Sequence, residues 1–325
     1  MTVDEIVRDP RYLLHRVDPV RRQYQFRPAN AEAVRDAAFI DGRTDIWSGP
    51  PEIISFDSAP EVSAPLPVPA IFHMSFCGSS LLARLLDRPG KVLALKEPNC
   101  LVDLADWKRN AGTDFGSVLQ FTRAILGRPW AEGEQLLLKP SSWANNLINE
   151  LIGENGLAVF VTIARDRFLE AVLRGGSERL AFTARLAAHL SPFVDGGPER
   201  LQAAIDSTED TMGKVARLAL VAHDLELRLF ERSTAAEVVD FARIEESPFE
   251  AASSAAGALQ LDLDESEIEA NVERWAGANA KADASFSAEQ RRSENSAVRV
   301  AYGAIMDEAL AWAPAALGPA TLQRP

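Results

Sequence analysis

"AIFHMSFCGSSLLARLLD", residues 70–87, runs from an apolar strand through a group of small residues into a helix. Leu81, Leu82, Leu85 and Leu86 gather on one helical face with Arg84 and Asp87 pointing away, so the helix begins near Gly78 to Ser80. The first N–H groups of a helix lack intrahelical partners and carry partial positive charge. Small residues let an anion approach those amides, and the Ser79 and Ser80 hydroxyls add donors. The same Gly-Ser-Ser also serves as a plain helix cap, so the join has two readings.

Outward from this join, apolar runs suited to buried parallel strands recur at 70–74, 92–95, 135–138, 157–164 and 237–242. Between them, residues 81–86, 115–126, 142–152 and 167–190 carry the apolar spacing of amphipathic helices. The alternation predicts an α/β fold with three layers, a parallel sheet of about four to five strands flanked by helices. Ligands of such sheets sit at the carboxyl ends of the strands. Residues 167–232 read as a helical insertion broken at 195–200, and more helix is expected around 249–259 and at the C-terminus. Residues 278–296, rich in serine and alanine, read as a mobile loop. Residues 1–65 read as an irregular extension packed on the core, and 66–325 as the α/β domain. The extension holds Arg8, Arg11, Arg16, Arg21, Arg22 and Arg27, which either form a solvated helix face or lend a cation to an anion site.

Of the 325 residues 47% are hydrophobic, enough for a sizeable core. There are 34 basic and 47 acidic residues, a formal net charge of −13. That charge repels phosphate backbones and anionic lipid at long range, so neither nucleic acid nor a membrane is an expected partner. A small anionic ligand in a locally basic pocket remains compatible with it. The two cysteines, Cys77 and Cys100, argue against a disulfide framework and for a reducing compartment. The N-terminus lacks the apolar run of a secretory signal, and no stretch is long enough to span a bilayer. A cytoplasmic protein is expected. The four histidines, His15, His73, His189 and His223, show no zinc spacing with one another or with the cysteines, and no metal is expected.

The Walker pattern with its lysine is absent from the join. What residues 70–87 resemble is the first loop of the sulfotransferase family, a strand followed by (P)-(R/K)-S-G-(S/T)-(S/T) and a helix. Gly78, Ser79 and Ser80 match; Phe76 stands where the family has a basic residue, and Cys77 where it has serine. Three later stretches carry the resemblance across residues 70–175. "LALKEPN" (93–99) is similar to the second-strand segment whose acidic residue is the family's general base, which falls on Glu97. "LLLKPS" (136–141) is similar to the third-strand end, whose lysine meets the transferring sulfonyl group, here Lys139. "VFVTIARDRF" (159–168) resembles the "RDP" strand end, whose arginine holds a 3′-phosphate, here Arg165. The proline of that motif is replaced by Arg167, and Leu173 stands where the family has a serine.

The resemblance implies a divergent member of the family with the P-loop nucleotide hydrolase type of fold. It implies 3′-phosphoadenosine-5′-phosphosulfate (PAPS) as cosubstrate, bound by Cys77, Gly78, Ser79, Ser80 and Arg165, and a small-molecule acceptor carrying a hydroxyl or amine. Glu97 and Lys139 would be catalytic. Sulfonyl transfer needs an in-line nucleophile, a base for its proton and cations for the developing charge. With Phe76 not basic, Lys96, Lys139, Lys281 or an arginine of the extension is the candidate cation, and Lys281 joins the cofactor-binding set. Each residue also has an ordinary reading: Glu97 paired with Lys96 or another cation, Lys139 reaching out to water, Arg165 paired with Asp166 or Glu170. Cys77 is either a thiolate favoured by the helix end or a small packing residue. Trp143, Asn145 and Asn146 either shape an acceptor pocket or serve packing and capping. A nucleotide-binding protein without transferase activity is the main alternative, and a phosphotransferase is a third reading that the missing lysine disfavours.

Overall fold

Residues 1–62 are not the irregular extension that the sequence suggests. In the computed structural model, which describes residues 1–62, 67–153, 156–275, 288–319 and 322, they form an antiparallel sheet with two helices. Thr2 opens α1 (Val3–Arg8) with a capping box, its hydroxyl accepting from the Glu5 N–H while the Glu5 carboxylate accepts from the Thr2 N–H. Strands β1 (Tyr12–Asp18), β2 (Gln23–Pro28) and β3 (Glu52–Ser55) pair in that order, and α2 (Ala31–Asp36) lies between the last two in the chain. A register shift between Leu14 and Arg16 bulges β1, so its apolar residues depart from strict alternation. That departure, with arginines interspersed, hides the sheet from a period-two reading.

From residue 70 onward the apolar runs pair as expected. β4 (Ala70–His73) is followed by α3 (Ser79–Leu85), β5 (Val92–Lys96), α4 (Asn99–Lys108), α5 (Phe115–Leu126) and β6 (Gln135–Lys139). A 3₁₀ segment at Ser142–Leu147 leads into α6 (Ile148–Ile152), β7 (Ala158–Thr162), α7 (Arg165–Arg174), α8 (Gly176–Leu190), α9 (Gly197–Asp206) and α10 (Thr211–Glu231). Then come β8 (Glu237–Asp240), α11 (Phe241–Glu246), α12 (Pro248–Ala258), α13 (Glu265–Trp275) and α14 (Ala288–Leu317). The five strands β4 to β8 are parallel, in the spatial order β5-β6-β4-β7-β8, and helices flank the sheet. Every residue of β4 and β5 is buried, as a central parallel sheet requires. The chain leaves β4 towards β5 and leaves β6 towards β7, in opposite directions. The switch point therefore lies between β4 and β6, where open α/β sheets form their ligand crevice.

Several local expectations change. The helix read over 167–190 is two helices, because Gly176 adopts a φ of 64° that breaks the run. The strand read to residue 242 stops at Asp240, whose side chain accepts from the Ala242 N–H and starts α11. Arg84 and Asp87 do not face solvent: Arg84 lies over the Trp275 ring at 4.3 Å, and Asp87 pairs with Arg35. Of the loop read over 278–296, residues 288–296 belong to α14 and the rest lie outside the described residues. No helix among the described residues is long and apolar enough to cross a membrane.

Helix α2 fastens the first sheet to the second. Arg35 pairs with the buried carboxylates of Asp87 and Glu134 and donates to the Val92 carbonyl at 2.8 Å. Lys96 Nζ donates to the Arg35 carbonyl at 2.6 Å, and the Ile40 N–H donates to the Lys96 carbonyl at 2.8 Å. Burial draws the Lys96 ammonium down to about 8, with Asp87 pulling the other way. This side chain is thus spent on the extension and does not pair with Glu97.

Candidate active site at the carboxyl edge of the parallel sheet

Register sets the first contact. Lys96 and Lys139 are level in the β5–β6 ladder, so the residue after β5 meets the end of β6. Glu97 takes a φ of 58°, rare for a residue with a side chain, and its N–H donates to the Lys139 carbonyl at 2.6 Å. The turn brings Glu97 Oε1 to 2.7 Å from Lys139 Nζ. Lys139 does not reach water: its side chain is 0% exposed, and that of Glu97 is 13% exposed. A charge buried this deeply requires its partner, since breaking such a pair costs about 3–5 kcal/mol.

β4 supplies the third group. His73 Nε2 lies 2.9 Å from Lys139 Nζ, and His73 Nδ1 lies 2.9 Å from the Met74 carbonyl. An ammonium only donates, so Nε2 accepts from it, and the ring proton sits on Nδ1 and donates to Met74. The 3.0 Å approach of Nε2 to the Pro140 carbonyl is then a contact without a proton between the two. Glu97, Lys139 and His73 come from three neighbouring strand ends and straddle the switch point.

The extension lends an arginine, though not one of the six singled out in the sequence. Arg43 NH2 lies 3.3 Å from Glu97 Oε2, and its Nε lies 2.6 Å from Asp41 Oδ2. Phe39 lies between the cations, its ring centroid 4.1 Å from the Arg43 guanidinium carbon and 5.8 Å from Lys139 Nζ. Glu97 therefore spans a buried cation and an exposed one. The placement of Arg43 depends on how residues 37–43 fold back along β5, which no local spacing signals.

The turn between β4 and α3 is built as a tight loop. Phe76 has φ 64° and Gly78 φ 78°; a Cβ at Gly78 would stand 3.0 Å from the Phe241 ring, so a side chain there meets both a strained backbone and a ring that must give way. Ser79 and Ser80 are buried in the first turn of α3. Cys77 is fully buried, and burial pushes its thiol up to about 12, so it packs as a neutral side chain and not as a thiolate. Phe76 packs on Phe168 and Phe182 with ring centroids 6.1 and 6.3 Å away. Arg179 of α8 stacks on the same ring at 4.7 Å, so a cation reaches this turn through space where the sequence carries none.

Arg165 stands apart from the Glu97–Lys139 pair. It begins α7 and donates from NH2 to the Gly318 carbonyl at 3.3 Å, beyond the end of α14. Burial lowers its affinity for protons, Asp224 raises it and Arg228 lowers it, which places the guanidinium beside α10 and α14. Its link to the β4 turn is one helical turn away, through Phe168 and the Phe76 ring. Neither Asp166 nor Glu170 pairs with it; Glu170 is taken by Arg167 at 3.4 Å. Lys281 lies outside the described residues. Trp143 donates to Asp106 at 2.7 Å and stacks on His189 at 4.2 Å, while Asn146 donates to the Ala105 carbonyl at 3.0 Å.

Comparison of the chain with protein-family models, with curated proteins and with solved structures returns no match.

Proposed function

We propose that this protein is a sulfotransferase-like enzyme that moves a sulfonyl group from PAPS to a hydroxyl or amine of a small acceptor. The observation that carries the reading is the 2.7 Å contact between Glu97 and Lys139 at the switch point of the sheet. These two residues, forty-two positions apart, are the ones to which the resemblance assigns the base and the sulfonyl-contacting cation. Glu97 accepts the acceptor's proton as its oxygen attacks sulfur; the bond from sulfur to the departing phosphate breaks, and Lys139 faces the charge that develops. General-base help of this kind is worth about 10²–10⁴-fold. The Gly78–Ser80 amides are the donors for the 5′-phosphosulfate, and Arg179 and Arg43 are the cations nearest in role to the one missing at Phe76. The test is melting in the presence of 3′-phosphoadenosine-5′-phosphate, with ATP as control, followed by transfer from labelled PAPS to a panel of hydroxyl and amine acceptors. At a hundred times Kd a ligand that binds only the folded state stabilises it by about 2.7 kcal/mol. A shift with transfer is the expected result; no shift with either nucleotide overturns the reading.

A second reading, nucleotide binding without transfer, is favoured by Phe76, which packs on Phe168 and Phe182 where the resembled family carries a basic residue. A nucleotide shift with no transfer to any acceptor is its signature.

A further inference from the structure

Helix α10 presents a carboxyl group to the turn after β4 that the reacting pair does not use. Glu226 is 0% exposed and accepts at 3.3 Å from Asn145 Nδ2. Asn145 Nδ2 also donates to the His73 carbonyl at 3.1 Å, which fixes the orientation of the amide, since its nitrogen faces two acceptors. Oε2 of Glu226 and Oδ1 of Asn145 are then two buried oxygens without a hydrogen-bond partner. Leaving each bare is costly, because a buried acceptor without a donor keeps its full desolvation penalty. Two acceptors cannot satisfy one another. One proton between them satisfies both.

We propose that Glu226 is held as a neutral carboxylic acid whose Oε2–H donates to Asn145 Oδ1 while Asn145 Nδ2 donates to Glu226 Oε1, and that this closed acid–amide pair positions the turn after β4. It grips the turn at the His73 carbonyl through Asn145. Ser75 Oγ is tied to Ser142 Oγ at 2.8 Å. Burial raises the Glu226 carboxyl well above the usual range, against the pull of the Ser75 backbone and the Asn145 side chain. The titratable groups at this turn include Cys77, which interacts with Glu226, His73, which shares Asn145 with it, Lys139, bonded to His73, and His223, one turn earlier on α10. Lys139 is paired with Glu97, Cys77 stays a thiol, and burial draws His223 down to about 4, so it stays neutral. Glu226 is a positioning residue, not a catalytic one. Its effect on ligand binding rests on the reading of this edge as a nucleotide site; its protonation does not.

The test is infrared difference spectroscopy of the ligand-free protein against Glu226→Gln at about neutral pH, with melting curves from about pH 5 to about pH 9. A carboxylic-acid C=O band is expected in the wild type, shifted in heavy water and absent from the variant. Glutamine keeps both bonds, donating from its amide nitrogen to Asn145 Oδ1, so the variant should melt with little dependence on this site. The wild type should lose stability relative to it as pH rises, because the folded chain holds a proton that the unfolded chain releases above the ordinary carboxylate range. Glu226→Leu breaks the pair and risks misfolding, so it decides nothing alone. Absence of the acid band, or parallel melting profiles, overturns the proposal. Absence of a nucleotide shift in the wild type overturns the functional reading and leaves the pair standing on its band.

Discussion

Lys139 has no exposed side-chain surface, and its ammonium meets Glu97 and His73. Methionine removes that charge but leaves Glu97, itself largely buried, with the exposed Arg43 alone, and losing one partner of a buried pair costs about 3–5 kcal/mol. Lys139→Met should therefore melt below the wild type, and on the sulfotransferase reading its transfer per folded molecule should fall by about 10²-fold or more. Glu97→Gln should retain nucleotide binding and lose turnover by about 10²-fold, measured as kcat with the thermal shift unchanged. Both residues are legible in the sequence through the resemblance that assigns them, and their meeting follows because each comes just after an apolar run and parallel strands present their ends to one edge. Arg43 was not legible, since its place depends on a backbone path through Phe39 and Gly42 with no periodic signal. Arg165 was legible as a strand-end arginine, but the carbonyl of Gly318 that it holds is supplied from 153 positions away.

Elements were legible where burial enforces a pattern. β4 to β8 are short apolar runs between helices, and the sheet follows from their alternation. The first sheet was missed because of the bulge in β1, and the joint between the sheets was missed because it is polar. That joint has a measurable signature. The Lys96 ammonium titrates at about 8 in the folded chain against an ordinary 10.5, so the unfolded chain binds the extra proton between those values. Stability rises with pH across that window and is lost as pH falls through the folded value. Lys96→Met should abolish the rise, which denaturant midpoints taken from about pH 7.5 to about pH 10.5 would register.

For the whole molecule the decisive contact is Arg35 with Asp87 and Glu134, whose side chains are 8% and 3% exposed. Removing the arginine leaves Glu134 without its cation and Asp87 with Lys96 alone. Arg35→Met should cost about 3–5 kcal/mol and open residues 1–62 to proteolysis before the rest of the chain, read by mass spectrometry of the first fragments. A melt that matches the wild type would mean that the two sheets hold together by apolar contact alone. The same contact imposes an order on the protein's birth. Arg35 precedes Glu134 by ninety-nine positions, and Phe39 and Arg43 likewise leave the ribosome long before Lys139. At translation rates of about 5–20 residues per second, the extension waits roughly 5–20 seconds for its partners. During that interval its strand edges and its unmatched arginine face the surroundings of the nascent chain. A ribosome halted before residue 134 would therefore carry a protease-sensitive extension, and one halted well beyond residue 139 would not.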